Sequence, residues 1–403
     1  MNNNIKTFFK RDSIKITPSI TSTLHLVLHF NKEAKRNPVS GFILVSLGVL
    51  LSASSGSWDI TNHLLNRPET FFSPPHAGLY IGVVIVVSGC IMMLLYCSHN
   101  SSNIKNSNKN NGYNKTLVHL PLPLKLVTIG VIMLVSAGPF DFAWHSAFGL
   151  DGLLSPSHSV LTIGMALSSI GALLGILSTN NSLNINSDNK NTTHTVSPIF
   201  IIIGIIPVWI ILSGLIHMAS LPFSDTKYFK FNPDPTLAAI IATLAFPFIS
   251  SFILFSSFRL SIRRTKGIFG ILSITGTIFI IINLTTAIFP NEYLVPTIPF
   301  YILNIIPIVA VDILLSKLSI LNTKIVDYVA GAILGSIFIM LYYPLITHTY
   351  NEVLSNLQTV WPSLTGSIYF EMIDRLYSLM AIPAMAAGIL GTIISSKIIR
   401  VLD

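Results

Sequence analysis

Two stretches of the chain carry an aspartate and two histidines with the same spacing, Asp-x3-His-x12-His. Imidazole and carboxylate groups are ligands for copper, zinc and non-haem iron, and three of them leave a coordination position open for water or substrate. The spacing therefore predicts a metal site in each stretch. The candidate ligands are Asp59, His63 and His76 in the first copy and Asp141, His145 and His158 in the second.

The similarity between the two stretches extends beyond these ligands. Residues 54–82 align with residues 136–164 without a gap, and an internal duplication of a helix hairpin explains this register, as repeats do in many membrane proteins. Two aligned acids, Glu69 and Asp151, are candidates to accept a hydrogen bond from the free N–H of a ligating imidazole. The further aligned pairs include Gly56 with Gly138, Glu69 with Asp151, Ser73-Pro74 with Ser155-Pro156, and Gly82 with Gly164.

Each motif is predicted to lie at the junction of two helices. An aspartate and a histidine four positions apart share one face of a helix. The Ser-Pro pair that follows is typical of a helix start, with serine as N-cap and proline as the first helical residue. The second histidine then falls in the first turn of that next helix. The connecting loop would bring it back toward the Asp/His pair, so three ligands would converge at one end of the hairpin.

The helices that position these motifs are predicted to cross a membrane. Of the 403 residues, 51% are hydrophobic and only 10% are charged, and the mean hydropathy is +0.69. A soluble domain carries about 25% charged residues, so the composition predicts an all-α polytopic membrane protein. Stretches of membrane-spanning length, roughly 20 apolar residues, occur at 41–58, 77–97, 124–144, 158–178, 198–218, 236–258, 267–289, 293–315, 327–347 and 376–399.

Charge distribution predicts the orientation of these spans. Lys and Arg favour cytoplasmic loops, and they concentrate before the first span, after the second, sixth and eighth spans and at the C-terminus. Both termini are therefore predicted to be cytoplasmic, with the motifs at the opposite face of the cell membrane. The net charge of +8 is spread over short loops, so the lipid bilayer and not a nucleic acid is the predicted partner. The predicted regions are a basic segment (1–40), a duplicated four-helix region (41–178), a polar loop (179–197) and a six-helix region (198–403).

The motif resembles the copper-binding motif of the C subunit of the particulate methane and ammonia monooxygenase family. In that motif the aspartate and the first histidine end one transmembrane helix, and the second histidine opens the next. The resemblance covers 54–82 and 136–164. It implies copper at both copies of the motif, oxidation of a small apolar or gaseous substrate with dioxygen, and assembly with other membrane subunits.

Other interpretations of the residues stay open. A zinc-dependent intramembrane hydrolase also gathers Asp and His from helix ends, with a carboxylate moving the proton. A metal transporter would usually place its site near the membrane midplane. Haem could take His63 and His76, or His145 and His158, as axial ligands, although neighbouring carboxylates would be unusual there. The repeat could also be purely structural. His217 and His348 end later spans without a complete motif, and Asp312 is a lone acid within the eighth span.

Overall fold

Almost all of the residues that the computed structural model describes are helical. The described residues are 38–64, 70, 72–105, 120–149, 154–185, 198–220, 235–265, 269–289, 292–317, 324–336 and 377–401. The helices are α1 (Pro38–Leu64), α2 (Pro74–Lys105), α3 (Leu122–Phe148), α4 (Pro156–Ile185), α5 (Pro198–Ser220), α6 (Pro235–Thr265), α7 (Ile271–Ile288), α8 (Ile298–Leu303), α9 (Ile305–Lys317), α10 (324–336) and α11 (Tyr377–Val401). A 3-10 turn, Glu292–Thr297, precedes α8.

The protein is an all-α polytopic membrane protein. Within the described residues, nine helical segments are long and apolar enough to span a membrane, and they coincide with nine of the ten predicted spans. The remaining prediction, 327–347, is helical as far as residue 336, and the rest of it lies outside the described residues. Residues 1–37, which include most of the predicted basic segment, also lie outside them.

Two details differ from the sequence-based prediction. The helices α2 and α4 continue to Lys105 and Ile185, beyond the predicted span ends at 97 and 178, so the first part of the predicted polar loop 179–197 is helical. Each residue added to an existing helix gains one backbone hydrogen bond, so extension is easier than nucleation. Asn and Ser lower helix stability without ending the helix. The eighth span is not one continuous helix, because a turn at the buried Asn304 separates α8 from α9.

The two predicted hairpins pack in the same way. A β carbon added to Gly48 of α1 would lie 2.7 Å from the carbonyl oxygen of Gly82 in α2. At the aligned positions, a β carbon added to Gly130 of α3 would lie 2.6 Å from the carbonyl oxygen of Gly164 in α4. Small residues let membrane helices approach closely. The alignment that matches Asp59 with Asp141 therefore also matches the packing of the two hairpins.

The hairpins assemble into a ring of four helices. Besides the contacts within each hairpin, α1 packs against α4 and α2 packs against α3. The second contact includes Cys90 of α2, whose Sγ lies 3.7 Å from Oγ1 of Thr128 in α3. Exchanging the two hairpins exchanges these two contacts, so the halves are related by an approximate two-fold axis along the bundle. Both motifs consequently lie at the same end of the ring.

The later helices form a second packed region beside this ring. Its core includes Trp209 of α5, whose ring stacks on Phe279 of α7 at 3.7 Å between centroids. The buried Asp312 of α9 accepts hydrogen bonds at the start of α7 from the backbone N–H groups of Gly270 and Ser273 and from the Ser273 hydroxyl. Asp312 therefore caps α7, which gives this lone membrane acid a structural role.

Candidate metal centre

The second copy of the motif brings its three predicted ligands together. Nε2 of His145, one turn after Asp141 on α3, lies 3.4 Å from Oδ1 of Asp141. Nε2 of His158, in the first turn of α4, lies 3.4 Å from the same oxygen. One ligand atom from each residue can be chosen so that all three lie within 4.8 Å of one another. Among the described residues, these three form the one group of His, Cys, Asp or Glu side chains whose spacing would allow them to hold a metal ion.

The other ring nitrogen of His145 is held by the backbone. Its Nδ1 lies 3.1 Å from the carbonyl oxygen of Gly149, just after the end of α3. Because a carbonyl can only accept, Nδ1 must carry the hydrogen, and the lone pair of the neutral ring is then on Nε2, facing Asp141. Metal-binding histidines are commonly oriented by such a hydrogen bond. Gly149 has φ +82° and ψ −173°, a conformation that is essentially restricted to glycine.

Two serines at the start of α4 complete this site. Oγ of Ser155 accepts a hydrogen bond from the backbone N–H of His158 at 3.2 Å, which confirms the predicted N-cap. The hydroxyl of Ser157 donates to Oδ1 of Asp141 at 2.7 Å. The role of Ser157 was missed by the sequence analysis, although its position in the first turn, beside His158, was a usable signal.

The first copy shows part of the same arrangement. Nε2 of His76 lies 3.0 Å from Oδ1 of Asp59, and Nδ1 of His76 lies 2.9 Å from the carbonyl oxygen of Thr70. The imidazole is thus again held by a backbone carbonyl, with its other nitrogen facing the aspartate. His63 lies in the last turn of α1, as predicted, but its side chain lies outside the described part of the structure.

The predicted serine cap is absent from the first copy. Oγ of Ser73 is buried and has no hydrogen-bond partner among the described residues. An N-cap oxygen normally accepts from the N–H of the second or third helical residue. The second helical residue here is Pro75, which has no N–H, whereas the second copy has Ser157 at that position. This substitution removes one available donor and also the hydroxyl that would reach the aspartate.

The remaining candidates are not part of the described cluster. Glu69 and Asp151, predicted to support the ligating imidazoles, lie outside the described residues, as does His348. The described partners of Nδ1 in His76 and in His145 are backbone carbonyls, and the roles predicted for Glu69 and Asp151 stay predictions. His217 lies on α5 with its ring 4.8 Å from the ring of Phe246, and it belongs to no described group of ligands with metal-binding spacing.

The separations within the second copy fit a metal ion. Metal–nitrogen and metal–oxygen bonds of about 2.0–2.2 Å place neighbouring ligand atoms roughly 3 Å apart, close to the observed 3.4 Å. The His145 side chain is 21% exposed and that of Asp141 is 33% exposed, so water or a small molecule can reach the site. Comparison of the chain with protein-family models, with curated proteins and with solved structures gives no match.

Proposed function

We propose that this protein binds copper at Asp141, His145 and His158 and acts as a membrane oxidoreductase of the monooxygenase type, or as an accessory subunit of one. The observation that carries the proposal is the convergence of two imidazole Nε2 atoms on one carboxylate oxygen. At His145 the backbone carbonyl of Gly149 fixes the hydrogen on the other ring nitrogen. The bilayer and further membrane subunits are the proposed partners.

A bound cation explains this convergence better than a network of protein groups alone. Oδ1 of Asp141 already accepts a hydrogen bond from Ser157. Because Nδ1 of His145 carries the hydrogen, a neutral His145 directs the lone pair of Nε2 at this carboxylate, and protonation of both imidazoles would place two positive charges side by side. Their ring centroids are only 5.8 Å apart. A metal ion accepts electron pairs from all three groups and removes both conflicts.

Copper is favoured among the metals by two arguments. A site built from imidazole and carboxylate binds copper most tightly among the divalent first-row metals. The motif also resembles the copper motif of the monooxygenase C subunit. Copper held by three protein ligands would supply dioxygen activation or electron transfer at its open position.

The surroundings of the site suit an apolar substrate. Trp144 and Phe148 lie on the last turns of α3 with their ring centroids 4.4 Å apart, and the Phe142 side chain is 61% exposed. Aromatic side chains are enriched where a protein meets the membrane surface. A small apolar or gaseous molecule dissolved in the bilayer would therefore reach this end of α3 without crossing a charged surface. The span Leu122–Phe148 is the least buried of the nine, which leaves room for a neighbouring subunit.

The test is the copper content of the full chain, purified in detergent, loaded with Cu(II) and freed of excess metal. Mass spectrometry should find copper bound to the wild-type protein, and His145→Ala and His158→Ala should each lose about one equivalent. His99→Ala is the matched control, because His99 is exposed near the opposite end of α2 and should leave the copper content unchanged. Wild-type protein that retains no copper, or an equal loss in the control, would refute the proposal.

A zinc-dependent hydrolase is the second candidate, and the Ser157–Asp141 hydrogen bond is the observation that favours it. A carboxylate held by a serine at 2.7 Å is oriented to take a proton from a metal-bound water, as a hydrolase requires. Retention of zinc in preference to copper after loading with an equimolar mixture would select this candidate over the oxidoreductase.

A further inference from the structure

The helices α6 and α11 run side by side in the same direction. A β carbon added to Gly391 of α11 would lie 2.5 Å from the carbonyl oxygen of Phe248 in α6. Farther along both helices, Oγ of Ser256 in α6 lies 2.8 Å from Oγ of Ser395 in α11. Because the residue numbers of both helices increase along this contact, the two helices end on the same side of the membrane.

The helix α10 packs on α11 in the opposite direction. A β carbon added to Gly331 of α10 would lie 2.7 Å from the carbonyl oxygen of Gly388, and one added to Gly335, a turn later, would meet the carbonyl oxygen of Ala384. The numbers increase along α10 while they decrease along α11. The first turn of α10 therefore lies beside the last turns of α6 and α11.

This meeting point of three helix ends is remote from the metal motifs. Leu260 of α6 and Ile399 of α11 form an apolar cluster with Ile201 at the start of α5, and Leu177 packs against that cluster. Leu177 lies toward the opposite end of α4 from His158. The three helix ends consequently belong to the other membrane face, away from the proposed copper site.

Basic side chains dominate these three helix ends. Within the described residues of the last turns of α6 and α11 and the first turn of α10, four bases accompany one acid, Asp327. Three of the bases are exposed, and the side chain of the fourth, Arg259, is 29% exposed. The exposed bases are Lys324, Lys397 and Arg400.

Arg259 is held in place at this end. Its Nη2 forms an ion pair with Oδ2 of Asp327, and its guanidinium carbon lies 5.0 Å from the centroid of the Phe255 ring. An arginine has five N–H donors, and the described hydrogen bond to Asp327 uses one of them. The membrane span of α6 ends at Ser261, so the guanidinium lies near the depth of the lipid headgroups.

The other bases flank this guanidinium. Lys324, Asp327 and Gly331 are spaced i, i+3 and i+7 on α10 and share one face of that helix, and Gly331 marks it as the face toward α11. Arg400 ends the span of α11 and directly follows Ile399, which packs with Leu260. Bases from three helices thus surround the single acid at the membrane surface.

We propose that this end of α6, α10 and α11 binds the phosphate group of an anionic phospholipid. Arginine forms bidentate hydrogen bonds with phosphate, and basic pockets between membrane helices bind anionic headgroups. A free phosphate ion offers the same charge but no acyl chains. Two exposed apolar side chains beside these bases favour the lipid, Ile325 at 59% and Ile398 at 44% exposure.

The experiment measures lipid binding to the full chain in detergent, stripped of lipid and titrated with phosphatidylglycerol or phosphatidylcholine under native mass spectrometry. Wild-type protein should bind phosphatidylglycerol at least 10-fold more tightly, since each base contributes about 5-fold. Lys324→Gln and Arg400→Gln should each weaken phosphatidylglycerol binding about 5-fold, and the double variant roughly 30-fold. Binding of phosphatidylcholine should not change. Thermal unfolding like that of wild-type protein checks that these variants are folded.

The matched control is Lys317→Gln, which removes an exposed base at the end of α9. Its affinity for phosphatidylglycerol should equal that of wild-type protein. A loss as large as that of Arg400→Gln would show that charge anywhere on this membrane face attracts the lipid, and would overturn the site. Equal affinity of wild-type protein for the two lipids would overturn it as well. Displacement of phosphatidylglycerol by excess inorganic phosphate would identify free phosphate as the ligand and overturn the assignment to a lipid.

Discussion

The hydroxyl of Ser157 donates a 2.7 Å hydrogen bond to Oδ1 of Asp141, and the first copy has no counterpart because Pro75 occupies the aligned position. This bond orients the carboxylate that the proposed copper site requires. Ser157→Ala should therefore lower copper affinity about 10–100-fold, the usual effect of losing an outer partner of a metal ligand. Competition against a chelator of known affinity measures the change. Ser159→Ala, two residues farther along α4, is the control, and equal affinities in the two variants would contradict this role.

Gly149→Ala should weaken both folding and copper binding. The φ of +82° and ψ of −173° at this position would cost an alanine about 1–3 kcal/mol. Relief of that strain would move the carbonyl that holds Nδ1 of His145. The measurements are the thermal midpoint in detergent and copper affinity. In the control, Gly138→Ala, the added β carbon meets nothing within 4 Å, and an affinity loss equal to that of Gly149→Ala would show that the carbonyl is irrelevant.

Substitution of a glycine in one hairpin should change the stability of the protein by about as much as substitution of the aligned glycine in the other hairpin. Gly48→Ala and Gly130→Ala should each destabilise the protein by about 1–3 kcal/mol, because the new methyl group would overlap the facing helix. Gly56→Ala and Gly138→Ala meet open space and should be neutral or stabilising by about 0.5–1 kcal/mol. Thermal unfolding followed by circular dichroism distinguishes the two pairs. A destabilised Gly130 variant with an unaffected Gly48 variant would contradict the shared packing.

Asp312→Ala should destabilise the protein without changing its copper content. The substitution leaves two backbone N–H groups and one hydroxyl at the buried start of α7 without their acceptor. Loss of such a buried cap should cost about 2–4 kcal/mol. Asp312→Asn keeps one acceptor oxygen and should lose less. Normal stability of Asp312→Ala would argue against the capping role.

The predicted orientation can be tested by cysteine labelling in intact cells. In a background with Cys90 and Cys97 replaced by alanine, a cysteine at Phe72 should react with a membrane-impermeant maleimide, because this side chain is 78% exposed at the motif end of α2. A cysteine at Ser98, exposed near the other end of α2, should react only after the membrane is disrupted. The reverse pattern would place the motifs on the cytoplasmic face.

The apolar stretches and the repeat allowed much of the fold to be predicted. Each span needs a minimum apolar length, so nine described helices fall where hydropathy places them. The pairing of α1 with α4 and of α2 with α3 could not be predicted. These spans are apolar around most of their circumference because lipid surrounds them, and so no periodicity marks the contacting faces. The bond between Asp312 and the start of α7 joins residues far apart in sequence and carries no local signal.

The predictable part of the site is the part fixed by helix geometry. The spacing of Asp141 and His145 places them one turn apart, and Ser155-Pro156 marks the start of α4. The carbonyls of Gly149 and Thr70 could not be identified, because every residue carries a carbonyl and only the path of the chain selects one.

The two-fold relation between the hairpins has a consequence for how the two sites can differ. If the two hairpins were separate chains associated as a homodimer, both copies of the motif would necessarily carry identical residues. Joining them in a single chain removes that constraint, and Pro75 opposite Ser157 and Tyr80 opposite Thr162 show that the halves have diverged. The two copies of the motif are therefore free to differ in chemistry, whereas the two halves of a symmetric dimer would have to change together.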